Sequence, residues 1–392
     1  MPEPQLRGRF YAWMQAFTEG KVAFPNSDGE RHHYVAQFQL AKFRGKGRLY
    51  QLDKETGEVR STTPKDAAWA TNLYAVKSMT GEHDGMIEAF FALAEGFAAP
   101  ALKRFLADPE SLTEDDRGDL AFLIAIQEQR VPGFLAEMKE NIKYAAIGYL
   151  AVELANTKGP KGKQRKAREA YEALTDGSVM IEPPDQEVLT LSLQMFAQTS
   201  QLVYALPWTL LTAADGAFVC CDRPLTMYDP TPKFPWSAPG WLSSPMVEAT
   251  MPFSKRACVR IGPNQRQRIE IKPTTKQVTR INLRSYGSAT RYVYGPSEDL
   301  LTNLHEAAQA DPASAPEPIT KRMVLLEDPR TADPAIADRN AARGWPRYIE
   351  QQSEDGTIRA MSYEVIETED DARRAVAPRT RAAGQEVISE LA

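Results

Sequence analysis

The sequence predicts an α+β fold, with a helix-rich N-terminal half packed with an antiparallel or mixed β-rich C-terminal half. Three observations lead there. Between about residues 64 and 206, apolar residues recur at helical spacing in MIEAFFALAEGFAAPALKRFLA, LAFLIAIQEQRVP and DQEVLTLSLQMFAQTSQLVYAL. From Trp208 the texture changes to short β-like runs split by proline and glycine: WTLLTA, AFVCCD, ACVRIG, QRIEIKP and TRYVYG. The composition, 43% hydrophobic and 25% charged, is that of a folded chain with a sizeable core.

Taken in order, Tyr11 to Phe17 reads as a short helix before the polar break FPNSDGE. His32 to Phe43 reads as a strand or a strand entering a helix. GRLYQLDKETGEVR alternates around a KETG turn, the pattern of a hairpin. Pro64 and Asp66 open the helix-rich region. SLTEDD supplies an N-terminal cap, Ser111 or Thr113, with acids in the first turn of the helix that follows. Pro132 ends or kinks that helix. TKGPKGKQRKAR reads as a basic connector. The stretch RPLTMYDPTPKFPWSAPGWLSSPMVEATMPFS reads as a long proline-rich, aromatic loop of the kind that forms lids or binding surfaces. SEDLLTNLHEAAQ resembles a capped helix, and ADPASAPEP a linker. The expected organisation is one α+β domain over 1–306, helical over 64–206 and β-rich over 207–296. Residues 307–392 then form a linker and C-terminal extension carrying the hairpin-like RYIEQQSEDGTIRAMSYEVIE.

A formal net charge of −5 gives no global attraction to nucleic acid, so polyanion binding requires a local patch. Of three cysteines, Cys220 and Cys221 are adjacent and Cys258 stands alone, which fits a reducing cytoplasm rather than a disulfide framework. The N-terminus lacks an apolar core of signal-peptide length, and LAFLIAI is too short to span a bilayer. The expected location is cytoplasmic, without membrane association. A nucleotide-cofactor motif, a nucleophile elbow and zinc-ligand spacing are all missing, and four histidines exclude a histidine-rich metal site.

HHYVAQFQLAKF followed by GRLYQLDKETGEVR resembles the opening of the domain-of-unknown-function family 4238, which typically begins HHYVPQFYLRRF. The blocks ATNLYAV, GMIEAFFALAE, LAFLIAIQEQRVP, AFVCCDRPL, MPFSKRACV and SATRYVYG resemble later family blocks in the same order, over roughly His32 to Pro296. The family proline is Ala36 here, and the usual SDNP reads CDRP at Cys221 to Pro224. The resemblance implies which residues to watch and leaves the reaction open.

Seven polar positions and one basic run stand out. His32 and His33 point to opposite faces if they lie on a strand, so one of them can serve a pocket as base or ligand while the other braces the interior. With Asn72 and His83 they form the raw material of a His-Asn-His nuclease, although SMTGEHDG reads as a turn. Glu88 and Glu95, seven apart, share a helical face and could hold a divalent ion or lie in solvent. Gln127 and Arg130 lie on one face of a strongly apolar helix and must find partners. For Arg130 these are either a bound carboxylate or phosphate, or an internal ion pair with Glu95 or Asp222. Asp222, at the end of AFVCC, is either an acid/base or metal-binding carboxylate or a turn cap. The basic run from Lys158 to Arg168, including Lys161, Lys163, Arg165 and Lys166, is either a phosphate contact or a solvated loop. Trp236 and Trp241 either stack bases or pack.

Two functions follow. In one, Glu88, Glu95 and Asp222 hold Mg²⁺ or Mn²⁺ and His32 or His33, Gln127, Arg130 and Asp222 act on a phosphodiester. The protein is then a nuclease acting as toxin or antiviral-defence effector, with nucleic acid as partner. In the other, the same residues form a satisfied polar network in a non-catalytic binding module. A protein partner or self-association is not readable from the chain.

Overall fold

The computed structural model describes residues 6–23, 30–74, 76–77, 83–156, 161–175, 178–179, 182–228, 247–262, 268–311, 320–325, 350–352 and 358–366. The fold is α+β, with helices concentrated in the N-terminal half and mainly antiparallel strands in the C-terminal half. The chain divides into two compact units. The first comprises residues 1–135, 185–231 and 239–318, and the second residues 136–184, 232–238 and 319–392. Residues 136–184 thus group apart from the helices on either side of them in the sequence.

In the first unit the chain begins with α1 (Arg9–Thr18), then β1 (Arg31–His33) and the short α2 (Gln37–Leu40), extended by a 3-10 turn. β2 (Leu49–Asp53) and β3 (Val59–Thr62) form the expected hairpin. The described residues between 64 and 84 are not helical. They hold a turn, β4 (Trp69–Thr71) and the two-residue strands β5 (Val76–Lys77) and β6 (His83–Asp84). The reason lies in β1, whose exposed backbone groups need a partner: β4 supplies it, with His32 opposite Ala70.

Then come α3 (Met86–Ala107) and α4 (Glu114–Gln129). Thr113 caps α4, its hydroxyl accepting the Asp116 N–H at 3.1 Å, and Glu114, Asp115 and Asp116 fill the positive end of the helix. α4 is buried on all sides from Asp119 to Gln129, as befits a helix packed against α1, α3 and α7. Arg9 of α1 forks across Asp116 and Asp119, each at 2.7 Å. Gly118 lets the chain before α1 approach closely, since a Cβ there would stand 1.8 Å from the Arg7 carbonyl oxygen. Phe10 then sits among Phe90, Phe122 and Phe196.

α5 (Pro132–Asn156) opens on Pro132, where the missing N–H costs nothing, and leaves the first unit after Leu135. α6 (Lys161–Thr175) lies in the second unit and carries the basic run. The sequence reading made this a connector, but Lys, Arg, Glu, Gln and Ala are strong helix formers and they dominate here.

α7 (Asp185–Ala205) returns to the first unit. β7 (Trp208–Thr212), β8 (Cys220–Cys221), β9 (Thr226–Tyr228), β10 (Glu248–Ser254), β11 (Ala257–Ile261) and β12 (Arg268–Ile271) follow. β9 and β10 lie inside the stretch read as one long loop. They are anchored by antiparallel pairing, with Thr250 opposite both Thr226 and Arg260. α8 (Thr275–Ser288), β13 (Tyr292–Gly295) and α9 (Glu298–Ala310) complete the unit. One sheet has the order β12-β7-β11-β10-β9, antiparallel except that β12 runs parallel to β7. The other has the order β3-β2-β13-β8 and shares a core with α8 and α9 through Leu52, Val219, Val293, Leu283 and Leu301. In the second unit β14 (Thr320–Leu325), β15 (Glu350–Gln352) and β16 (Ile358–Ile366) form a sheet of order β14-β16-β15. Among the described residues no helix is long and apolar enough to cross a membrane.

Candidate functional site

The all-buried helix α4 ends at Gln129, and Arg130 is its C-cap. Only 1% of Arg130 is exposed, so its charge must be met inside the protein. Each nitrogen of its guanidinium is engaged. Nε donates to the Tyr34 carbonyl at 3.1 Å, and Nη1 meets Glu95 Oε1 at 2.5 Å. Nη2 donates at 2.5 Å to the Gln127 amide oxygen, which also accepts the Ala36 N–H at 3.2 Å. The internal ion pair is therefore with Glu95 of α3. Gln127, wholly buried, ties Arg130 to the start of α2.

His32 and His33 divide as alternation on a strand requires. His32 is buried, its Nδ1 accepts the Tyr74 N–H at 2.9 Å, and its ring stacks on that of Tyr74. The proton of the neutral ring accordingly sits on Nε2. The Tyr74 hydroxyl donates to the Arg130 carbonyl at 2.7 Å, and burial holds that phenol well above its ordinary range. His33 is half-buried. Its Nε2 lies 3.1 Å from the Lys65 carbonyl and its Nδ1 3.3 Å from the Gln37 amide nitrogen. Burial lowers its pKa, with Arg130 and Arg31 adding to the effect and the Lys65 carbonyl and Glu95 opposing it.

Glu88 completes the group. It stands two turns before Glu95 on α3, in the field of Arg130 and Glu95 and beside the His33 backbone amide. Its Oε2 is buried with no hydrogen-bond partner. Burial pushes its pKa up to about 7, Glu95 adds to the shift, and Arg130 and the His33 amide oppose it. Two neighbouring carboxylates thus have unlike environments, one locked to a guanidinium and one poised near neutrality.

Asp222, in the field of the Tyr34 phenol, is held by backbone. Its carboxylate accepts the backbone N–H groups of Thr290, Arg291 and Tyr292 at 2.8, 2.7 and 2.8 Å, holding the turn that leads into β13. Burial raises its pKa and those three amides oppose the rise. The metal set expected from the sequence needed Asp222 beside the α3 glutamates, and the structure gives it to the backbone instead. Among the described residues no three His, Cys, Asp or Glu side chains gather closely enough to hold a metal ion.

Arg165 and Lys166 are exposed on α6, where Arg165 pairs with Glu169 at 3.4 Å. The side chains of Lys161 and Lys163, together with Lys158, Trp236 and Trp241, lie outside the described residues. Asn72 sits in a turn at φ 53 with its N–H on the Glu30 carbonyl, and His83 lies on β6. Sequence reasoning missed the buried pair Arg223–Glu128, 3.1 Å apart, which joins α4 to the turn after β8. An acid within the apolar run FLIAIQEQR was the available signal. Tyr74 was also missed, although it lies in the quoted ATNLYAV.

A family profile described as a protein of unknown function (DUF4238) matches residues 31–299. No curated protein and no solved structure matches the chain.

Proposed function

The chain belongs to the DUF4238 family, whose description states no activity, and from its site geometry we propose that it is a hydrolase using Glu88 as its acid/base group. The observation that carries this reading is the Glu88 carboxyl: one oxygen is buried and unpartnered, and its pKa lies near 7. Such a group populates both protonation states at neutral pH, as a general acid or base requires. Glu95 stays with Arg130 and, by its charge, keeps the Glu88 proton on. Arg130 and Gln127 are positioning residues, fixing Glu95 and the start of α2. His33 supplies a backbone amide beside Glu88.

A phosphodiester of nucleic acid is the substrate class to test first, because Arg165, Lys166 and Arg168 expose positive charge on a chain of net charge −5. A toxin or antiviral-defence role would follow from such activity. A resident Mg²⁺ or Mn²⁺ fits poorly, since Arg130 already holds one of the two glutamates. The mechanism therefore routes no step through a metal.

A second reading, a non-catalytic binding module, is favoured by the internal engagement of Arg130 and Asp222. The deciding experiment incubates the purified chain with labelled DNA and RNA in Mg²⁺, Mn²⁺ or chelator, beside Glu88→Gln, Glu95→Gln and Asp222→Asn. Cleavage that is abolished by Glu88→Gln and survives Asp222→Asn supports the hydrolase. Inertness under every condition leaves the binding module.

A further inference from the structure

The five-stranded sheet carries a second polar layer that the hydrolase reading does not use. Thr209 of β7 lies opposite Arg260 of β11, Arg260 opposite Thr250 of β10, and Thr250 opposite Thr226 of β9. Directly opposed residues point to the same face, so these four side chains form one row across four strands. Leu211 and Cys258, two positions along from Thr209 and Arg260, pack with Val278 and Ile281 of α8. The row therefore faces α8, and Ser285 lies one turn beyond Ile281 on the same stripe of that helix.

A sheet face covered by a helix ordinarily carries apolar side chains. Here the hydroxyls of Thr209, Thr226, Thr250 and Ser285, and Nε of Arg260, are buried without hydrogen-bond partners. The four hydroxyl residues are at most 4% exposed. Orphans of this kind are rare in folded proteins, and a row of them calls for partners that the surrounding side chains do not supply.

The charges beside the row say what. Arg284 of α8 meets Glu248 Oε1 at 2.6 Å and lies 3.8 Å from the centre of the Tyr228 ring. Arg260 Nη1 stands 3.7 Å from Glu248 Oε2, too long for a firm hydrogen bond. Glu248 and Tyr228 belong to the same sheet face, two residues along from Thr250 and Thr226. Among the described residues two guanidiniums face one carboxylate, beside a row of hydroxyl and N–H donors. That is the chemistry of oxoanion recognition.

We infer that the layer between α8 and the sheet row Thr209–Arg260–Thr250–Thr226 binds a small oxoanion, either free or as the phosphate group of a larger molecule. The inference does not rest on the hydrolase reading.

The test is calorimetric titration of the full chain, in phosphate-free buffer, with inorganic phosphate and separately with a nucleoside monophosphate. Saturable binding is expected, weakened about tenfold or more by Arg260→Gln and several-fold by the nearly isosteric Thr250→Val. Thermal unfolding without ligand shows whether each variant is folded. If Arg260→Gln is not, Thr250→Val decides. Binding of phosphate itself assigns the free anion, and binding of the nucleotide alone assigns a phosphate group on a larger molecule. Failure of both to bind, or binding undiminished in the folded variants, overturns the inference.

Discussion

Replacing Arg130 with methionine, which keeps much of the volume and removes the charge, isolates what the polar centre contributes to the fold. Three engagements disappear together: the Tyr34 carbonyl, the Glu95 carboxylate and the Gln127 amide. Removing one partner of a buried ion pair costs about 3–5 kcal/mol, because the other charge is left uncompensated. Glu95 retains 21% side-chain exposure and can partly rehydrate, so the lower end, about 3 kcal/mol, is expected. For a unit of this size that lowers Tm by roughly 6–12 °C. Urea unfolding of the wild type, Arg130→Met, Glu95→Leu and the double variant closes a thermodynamic cycle. The double variant should be less destabilised than the sum of the singles by about 1–3 kcal/mol, since it leaves neither charge stranded. A single Arg130→Met cost below about 0.5 kcal/mol, or strictly additive singles, would refute the reasoning.

Three further outcomes follow from the same geometry. Glu88 has its pKa raised from 4.5 to about 7 in the folded chain. The folded state thus holds the proton more tightly, and stability is fully present below about pH 4.5 and falls as pH rises to 7, by about 3 kcal/mol. Urea midpoints across that range should show this slope in the wild type and its loss in Glu88→Gln. Asp222→Asn puts an amide NH₂ against backbone N–H donors that a carboxylate now satisfies, at a cost of about 2 kcal/mol read as a lower Tm. Any hydrolysis should survive in that variant. Thr113→Ala removes the α4 cap and should cost about 1 kcal/mol in the same assay.

Much of this architecture was legible because local signals agreed with the tertiary outcome. α3 spans the MIEAF to RFLA stretch read as a helix, and α4 begins beside a Thr113 cap and a run of acids. α8 escaped because TKQVTRINLRSYGS is polar and rich in β-branched residues. Its clearest signal was the Thr274–Gln277 capping box, a pattern the reading did not apply there. β10 was hidden by Pro252 and by the proline-rich segment before it. Its pairing to β9 and β11 is a tertiary fact. In the site, the helical spacing of Glu88 and Glu95 and the burial of Gln127 and Arg130 were readable. The choice of Glu95 over Asp222 as the Arg130 partner was not, because it depends on how α3 lies against α4. The use of Asp222 by amides near residue 290 likewise depends on β8 pairing with β13.

The central claim is that Glu88 titrates near neutrality beside the Arg130–Glu95 ion pair. The most direct measurement is the side-chain carboxyl ¹³C shift of Glu88 followed by NMR from pH 4 to 9, assigned by its disappearance in Glu88→Gln. The account predicts a midpoint close to 7, moving upward in a folded variant lacking the Arg130 charge. A midpoint near 4.5, unchanged when Arg130 is replaced, would contradict it.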